Sequence, residues 1–349
     1  MKKTTLAIIA FITIFIGGFL YFRFINDWGI PQVVENNRSI KTDDQLEDDI
    51  EEDTSMVEIV AEDLDIPWEI AFLPDGDILV TERSGSLLRL GENQTAIEIE
   101  GVKHTGEGGL LGLTLHPEFE TNSKLYLYLT TEKDDSTINR VESYTFEQNQ
   151  LSNKQVIIDD IPGASYHDGG RIEFGPDGYL YITTGDAGNE DSSQNPESLS
   201  GSILRLNDDG SIPEDNPFDN AVYSYGHRNP QGIAWDDQGR LWATEHGRSG
   251  ALSGFDELNL IESGKNYGWP VIQGDEAQED MVVPAAHSGP TTTWAPAGLE
   301  FVDGKLYFAG LRGSSLYETE IVDGDVTEVV KNLSGKYGRL RAVRLGPDG

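Results

Sequence analysis

The chain has 349 residues, with 25 Lys or Arg, 61 Asp or Glu and no Cys, and its formal net charge is −36. A chain this acidic lacks the basic surface that a phosphate backbone requires, so we expect no nucleic-acid partner. A sequence without cysteine also excludes disulfides, thiolate metal sites and cysteine nucleophiles. The net charge is +3 in residues 1–23, −8 in residues 24–55 and −31 in residues 56–349, which indicates three segments of different character.

The first segment predicts a membrane anchor. Residues 4–22 form an uncharged, mostly apolar run of 19 residues that follows Lys2 and Lys3. At about 1.5 Å per residue, a helix of this length spans roughly 28 Å, close to the thickness of a bilayer core. The two lysines favour a cytoplasmic N-terminus and an extracytoplasmic body. We therefore predict an N-terminal transmembrane helix, a signal anchor, over 1–23. The alternative is a cleaved signal peptide followed by secretion.

The second segment, residues 24–55, predicts an acidic disordered tether. Eight of the eleven residues from Asp43 to Asp53 are acidic. A run of like charges repels itself and stays extended, so a solvated connection between the membrane and a folded domain is expected.

The third segment, residues 56–349, contains an internal repeat. Each copy combines a tight turn with alternating apolar residues, and the copies are LPDGDILVTER at 73–83, HPEFETNSKLYLYLT at 116–130, GPDGYLYITTGD at 175–186, WDDQGRLWATEHG at 235–247 and FVDGKLYFAGLRG at 301–313, with LGPDG at 345–349 as the start of a sixth. Asp-Gly turns supply a positive φ, and the alternation predicts a strand with one buried face. A spacing of about 45–65 residues is typical of propeller blades. We predict an all-β, six-bladed β-propeller whose last blade is incomplete. A β-sandwich is the alternative, and the true protein could continue beyond Gly349.

His167 is the strongest candidate for acid–base chemistry. It lies in PGASYHDGGRIEFGPDG, directly before a predicted strand. The following glycines allow close approach of backbone or ligand, and a neutral imidazole at the mouth of a blade can act as a general base. The alternative is a structural or solvated loop histidine.

Basic residues are concentrated late in the chain, where 11 of the 20 Lys and Arg after residue 55 lie from Arg228 onward. Arg339 and Arg341 are two residues apart and would share one face of a strand. Arginines placed against an acidic background suggest an anionic ligand, and an ordinary salt-bridge network is the alternative. Asp256 and Glu257 could coordinate calcium with loop carbonyls.

The order of motifs resembles the glucose/sorbosone dehydrogenase family, the soluble aldose sugar dehydrogenases that use pyrroloquinoline quinone (PQQ). The resemblance runs from about residue 60 to the end, and the matching stretches are PWEIAFLPDGDILVTER, GEGGLLGLTLHPEF, HDGGRIEFGPDGYLYITTGD, GSILRLNDDGSIPEDNPF, YGHRNPQGIAWD, DELNLIESGKNYGWP and TWAPAGLEF. It implies a six-bladed propeller that oxidises the C1 hydroxyl of aldoses to the lactone, with PQQ and Ca²⁺ as cofactors and a downstream electron acceptor.

The resemblance also implies roles for individual residues. His167 matches the general base, Asp186 the acid that orients it, and Arg228 the group that polarises the quinone carbonyl. Further matches concern ligands: the PQQ-contacting positions are Glu107, Asn229, Arg312, Arg339 and Arg341. Gly247 and Arg248 match the positions whose carbonyls bind the calcium that also ligates PQQ, and Glu257 and the Tyr267 carbonyl match a second, structural calcium site. Two other functions remain open, a calcium-dependent propeller lactonase and a non-catalytic surface-binding propeller.

Overall fold

The computed structural model of this protein describes residues 57–249 and 254–349. A compact unit extends from Ile59 to Gly349. The predicted anchor at 1–23 and the predicted tether at 24–55 lie outside the described residues. Within the part of the chain that is described, no helix is long and apolar enough to cross a membrane, so the transmembrane part of the fold prediction has no support.

The compact unit consists of antiparallel sheets, each formed by strands that follow one another in the chain. The first sheet contains β1 (Pro67–Phe72), β2 (Ile78–Glu82), β3 (Ser86–Leu90) and β4 (Thr95–Glu98). The second contains β5 (Leu110–Leu115), β6 (Lys124–Lys133), β7 (Ser136–Glu147) and β8 (Gln150–Pro162), with a short helix α1 (Phe119–Asn122) before β6.

The remaining sheets repeat this order. The third contains β9 (Ile172–Phe174), β10 (Leu180–Thr184), β11 (Ser202–Leu206) and β12 (Val222–Tyr225), with a 3₁₀ helix at Glu190–Gln194. The fourth contains β13 (Pro230–Trp235), β14 (Leu241–Glu245), β15 (Glu257–Ile261) and β16 (Ala286–His287). The fifth contains β17 (Pro296–Val302), β18 (Lys305–Gly310), β19 (Ser315–Val322), β20 (Asp325–Val326) and β21 (Val330–Asn332).

The repeated phrase forms the turn between the first two strands of a sheet and the second strand itself. In the third sheet, for example, Gly178 adopts φ 81° between β9 and β10, and its N–H donates to the Gly175 carbonyl (2.9 Å). A residue with a Cβ rarely adopts this conformation, which is why the turn recurs with glycine.

The strands bury both of their faces, although the alternation predicted one. In β6, Leu125, Leu127 and Leu129 pack in a core shared with the first sheet, whereas Tyr126 and Tyr128 pack in a core shared with the third sheet. Two further cores lie between the third and fourth and between the fourth and fifth sheets. Successive side chains point to opposite faces, so a sheet between two neighbours buries both sets. The single-face prediction is wrong for that reason.

Ion pairs join the innermost strands of several sheets. The Arg344 guanidinium donates to Glu69 in β1 (3.1 Å), to Glu173 in β9 (2.8 Å) and to Glu300 in β17 (3.4 Å). Arg171, which is buried, also pairs with Glu69. These contacts connect the first, third and fifth sheets around a common centre.

The prediction of six blades is wrong, because the described residues form five sheets. The sixth copy of the phrase does make its turn, with the Gly349 N–H donating to the Gly346 carbonyl (3.0 Å). A turn alone does not make a sheet, because a sheet requires strands paired on both sides of the turn, and the described residues show no such pair at this turn. The residues before the turn instead pack against the fifth sheet, where Gly298 N–H donates to the Arg341 carbonyl (2.9 Å). The structure is thus an all-β propeller with five blades.

Candidate active site

His167 and Asp186 form a hydrogen-bonded pair at the ends of two neighbouring strands. His167 precedes β9, Asp186 follows β10, and their Nδ1 and Oδ1 atoms are 2.7 Å apart. His167 adopts φ 59°, and a Cβ at Gly185 would collide with its carbonyl oxygen. The glycine therefore permits the close approach of the two loops. An ionised carboxylate can only accept, so Nδ1 carries the proton, and in the neutral form of the imidazole Nε2 is the acceptor.

Asp186 is held ionised by several donors. It is almost fully buried, and its other partners are the Gly188 N–H at Oδ1 (2.8 Å) and the Trp269 Nε1–H at Oδ2 (2.9 Å). Burial favours the neutral carboxyl, but the hydrogen bonds from His167, Gly188 and Trp269 outweigh it and lower the pKa of Asp186. The carboxylate can therefore orient the imidazole and stabilise its protonated form.

Arg228 lies beside this pair. Its guanidinium donates to the His246 carbonyl (3.3 Å) and to Ser249 Oγ (3.0 Å), and it lies over the Trp269 ring at 5.2 Å. Burial lowers the pKa of Arg228, although the charges of Asp186 and other acids oppose that shift. Its Nε–H is buried and has no partner among the described residues. A buried unused donor costs free energy unless a ligand accepts from it.

These side chains line a single cavity of about 580 Å³, here called the histidine cavity. Its wall includes Tyr166, His167, Asp186, Arg228, Arg248 and Trp269. The Tyr166 ring meets the His167 ring edge-on at 4.7 Å between centroids. The His167–Asp186 pair, a guanidinium and aromatic surface thus face one open cavity, and such a combination is typical of small-molecule sites.

Arginines line a second cavity of about 420 Å³, here called the arginine cavity. Arg83, Arg339 and Arg341 face it together with Trp68. Burial, together with the nearby charge of Arg83, lowers the pKa of Arg341 to about 10. Arg83 Nε is buried with no partner among the described residues. Three guanidiniums in one cavity repel each other, and burial makes their charges less favourable still. The arrangement therefore favours a multiply charged anion as ligand.

Electrostatic contacts link the two cavities. Burial lowers the pKa of His246, and the positive charges of both Arg341 and Arg228 act on it in the same direction. The negative charge of Glu107 opposes the lowering of the pKa of both Arg228 and Arg341. The Oε2 atom of Glu107 also accepts from the His167 N–H (2.9 Å). The two cavities therefore share the segment of Gly106 and Glu107, because the Gly106 carbonyl accepts from Arg83 and the Glu107 carboxylate accepts from the His167 N–H.

A third, very small cavity of about 10 Å³ contains most of the predicted calcium positions. It is lined by Gly247, Arg248, Glu257 and Tyr267, together with Gln273. Burial and the neighbouring Glu245 raise the pKa of Glu257 to about 8, and Gln273 Oε1 is buried without a partner among the described residues. No group of three His, Cys, Asp or Glu side chains suited to a metal occurs in residues 57–249 and 254–349. Amide and backbone oxygens would have to complete a cation site here, which suits Ca²⁺.

Three predicted PQQ positions, Glu107, Asn229 and Arg312, are not part of the lining of the histidine cavity or of the arginine cavity. Asn229 is buried, and its Oδ1 accepts from the Gly169 N–H (3.0 Å), so it holds the His167 loop in place. Arg312 is exposed and is not part of the lining of the histidine or the arginine cavity, although the adjacent Leu311 lines the latter.

Sequence reasoning missed Arg83, Tyr166 and Trp269. Arg83 directly follows β2, and it aligns in the repeat with Gly185, the residue before Asp186, so the loop after the second strand of a sheet was the available signal. Trp269 lies in the motif NYGWP, which supported the family resemblance but carried no assigned role.

Asp168, the neighbour of His167, is a buried carboxyl group whose ionised form is unfavourable. It is buried, it accepts from the Ala164 N–H (3.0 Å) and from Asn139 Nδ2 (3.1 Å) through Oδ1, and its Oδ2 has no partner among the described residues. Burial is the main cause that raises the pKa of Asp168 from 3.8 to about 6. The folded protein therefore binds this proton more tightly than the unfolded chain does.

We expect Asp168→Asn to stabilise the protein above pH 6 but not at pH 4. The protonated Asp168 carboxyl contributes to the folding stability of the wild type. This contribution is fully present below pH 3.8 and is lost as the pH rises through about 6. The stabilisation at pH 8 should be on the order of 1–3 kcal/mol, and it is measured from chemical unfolding at several pH values. The exposed Asp237→Asn serves as control. If the free energies of unfolding of Asp168→Asn and wild type differed by the same amount at every pH, the raised pKa of Asp168 would be contradicted.

The fold and the site together define a class: a β-propeller with a hydrogen-bonded histidine–aspartate pair in one cavity and three arginines lining a second. The chain belongs to the glucose/sorbosone dehydrogenase family, whose profile, described as "Glucose / Sorbosone dehydrogenase", matches residues 64–349. The expected family is therefore confirmed, and with it the expectation that this protein is an enzyme.

Several relatives agree with this membership. Aldose sugar dehydrogenase YliI of Escherichia coli is 32% identical over 335 residues, covering 85% of this chain and 88% of the relative. The PQQ-bound aldose sugar dehydrogenase of Streptomyces coelicolor superposes with a TM-score of 0.77 at 38% identity, covering 82% of this chain and 87% of that one. A putative glucose dehydrogenase from Thermus thermophilus superposes with a TM-score of 0.79 at 41% identity, covering 83% and 91%.

Proposed function

We propose that this protein is a PQQ-dependent aldose sugar dehydrogenase that oxidises the C1 hydroxyl of an aldose to the lactone. The observation that carries the proposal is the placement of His167 and Asp186 in a cavity adjoining one lined by three arginines. The relative from Streptomyces coelicolor is described in its PQQ-bound form, and the Escherichia coli relative is named an aldose sugar dehydrogenase.

The residues present fit PQQ. This cofactor is a flat quinone that carries carboxylates, and Arg83, Arg339 and Arg341 offer guanidiniums in one cavity. The Nε–H groups of Arg83 and Arg228, which have no partner among the described residues, could donate hydrogen bonds to such a ligand. Arg83 is thus our addition to the cofactor-binding set, whereas the location of Arg312 favours at most an indirect role for it.

His167 is the proposed general base. Nδ1 is bound to Asp186, so Nε2 accepts the proton of the C1 hydroxyl as the C1–H bond breaks and a C1–O double bond forms. When bound, PQQ supplies the acceptor for the hydride that leaves C1. Asp186 stabilises the imidazolium that results, as the carboxylate does in other His–Asp pairs.

Arg228 is the proposed electrostatic partner of the reaction. Its guanidinium is fixed by two hydrogen bonds and by the Trp269 ring, and it lines the same cavity as His167. A fixed donor in a water-poor site stabilises negative charge that develops on a nearby oxygen without having to reorganise.

Ca²⁺ is the proposed metal. Glu257 would supply a carboxylate, and Gln273 Oε1 and backbone oxygens near Gly247 and Tyr267 would supply neutral oxygens. Hard oxygen ligands of this kind suit Ca²⁺, and a bound cation would relieve the cost of the buried charge on Glu257. The downstream electron acceptor and the extracytoplasmic location stay predictions from the sequence.

Reconstitution tests the proposed activity. The purified protein is incubated with PQQ and Ca²⁺, and dye reduction is followed with several aldoses. We expect activity that requires PQQ and falls on chelation of Ca²⁺. No activity with any aldose, despite saturable PQQ binding, would overturn the dehydrogenase assignment. Hydrolysis of a lactone by the metal-loaded protein without PQQ would support the lactonase alternative instead.

The arginine cavity is tested by PQQ binding alone. We expect Arg83→Gln and Arg341→Gln each to weaken PQQ binding roughly 10- to 100-fold, because a charge-assisted hydrogen bond to a carboxylate is lost from a buried site. Quenching of tryptophan fluorescence measures the affinity independently of activity. Arg89→Gln is the matched control, since Arg89 pairs with Asp75 and Asp77 away from both cavities. Unchanged affinity in both cavity variants would place PQQ elsewhere.

A further inference from the structure

Trp269 lies where the parts of the site meet, although neither the family match nor the sequence motifs assign it a role. Its backbone is held independently of its ring: the N–H donates to the Gly226 carbonyl (2.8 Å), and its own carbonyl accepts from Gln194 Nε2 (2.6 Å). The half-buried indole then extends to the wall of the histidine cavity. A ring anchored in this way can hold other groups in position.

The edge of the indole fixes Asp186. Trp269 Nε1–H donates to Oδ2 at 2.9 Å, whereas His167 and the Gly188 N–H occupy Oδ1. Among the residues that the structure describes, Oδ2 accepts a hydrogen bond only from Trp269, so this N–H determines the orientation of the carboxylate plane. The orientation of the carboxylate in turn determines where the imidazole presents Nε2.

The face of the indole contacts the arginines of the same cavity. The guanidinium of Arg228 lies 5.2 Å from the ring centroid and that of Arg248 lies 5.8 Å from it. An aromatic face attracts a guanidinium, most strongly where water is excluded. One side chain therefore contacts both the acid–base pair and the proposed electrostatic group.

We infer that Trp269 is a positioning residue that holds Asp186, and through it His167, in register with Arg228. This inference rests on the proposed function. The indole touches neither reacting atom in the proposed mechanism. Its two surfaces act separately, since the N–H orients the base and the ring face fixes the guanidinium.

Trp269→Phe separates these two actions, because it removes the N–H and keeps an aromatic face. We expect kcat to fall about 10-fold or more, as a misplaced base requires, with little change in KM. We also expect the acid limb of the pH–rate profile to move to higher pH. The lost hydrogen bond favoured ionised Asp186, so the carboxylate in the variant is protonated at a higher pH. A residue that only fills space would change the melting temperature and leave the acid limb where it is.

Trp269→Leu and Trp235→Phe complete the comparison. Trp269→Leu removes the ring face as well, so we expect it to weaken PQQ binding in addition to lowering kcat. Trp235 is a half-buried tryptophan of β13 that does not line the histidine cavity, and Trp235→Phe should match wild type in kcat and pH profile. An active wild type together with a Trp269→Phe variant of unchanged kcat and unchanged acid limb would overturn the inference.

The contact itself is measured without any activity. In the cofactor-free protein, ¹H–¹⁵N spectra resolve the indole N–H signals, and the signal lost in Trp269→Phe identifies Trp269. We expect that signal to shift strongly in Asp186→Asn, and to remain in place in Asp177→Asn. A Trp269 signal that does not respond to Asp186→Asn overturns the inference, even if the reconstitution experiment fails and the proposed function is abandoned.

Discussion

Replacing His167 by Ala is expected to lower kcat roughly 10²- to 10⁴-fold while leaving PQQ binding nearly unchanged. The magnitude is that of a lost general base. PQQ binding should change little because the imidazole is hydrogen-bonded to Asp186 and does not line the arginine cavity. Steady-state dye reduction measures kcat, and fluorescence quenching measures binding.

His116→Ala is the control for this substitution. His116 lies between β5 and β6, with Nδ1 hydrogen-bonded to Asn122 (2.8 Å), and it is not part of the histidine cavity. We expect it to retain wild-type kcat. Full activity in His167→Ala would contradict the assigned base, and loss of PQQ binding in the same variant would show that His167 also holds the cofactor.

Arg228→Met is expected to lower kcat about 10²- to 10³-fold, the usual effect of losing one fixed donor to a developing oxyanion. The long side chain of Met preserves much of the packing against Trp269, so the loss reflects mainly the charge and the donors. Arg228→Lys keeps the charge but not the planar fork, and it should recover only part of the rate. Rates at saturating PQQ and sugar measure the effect.

Arg240→Met is a matched comparison for Arg228→Met. Arg240 also lies over a tryptophan, with its guanidinium 5.6 Å from the Trp242 ring, but it pairs with Asp236 (2.7 Å) in a sheet turn outside the histidine cavity. We expect this variant to lose some stability and to keep its kcat. Equal kcat losses in the two variants would indicate a general packing defect rather than a role in the chemistry.

Much of the architecture could be predicted from the sequence because its determinants are local. An Asp-Gly turn and the alternation that follows it involve neighbouring residues, so the strands of the repeat were recognisable. The number of blades was not, because a turn motif at 345–349 does not by itself supply the paired strands of a sheet. The burial of both strand faces was also missed, since the alternation of Leu and Tyr in β6 does not show that a sheet lies on each side.

The sequence by itself determined the family, and through that resemblance it indicated His167, Asp186 and Arg228 as the residues to examine. Only the tertiary structure decided which side chains share a cavity with them. Arg83 and Arg341 are 258 positions apart in the chain, and Trp269 is 83 residues from the carboxylate it contacts. Such contacts arise when the sheets are arranged around a common centre and bring strand ends together. The sequence of one repeat does not indicate which distant loop that repeat will contact in the folded protein.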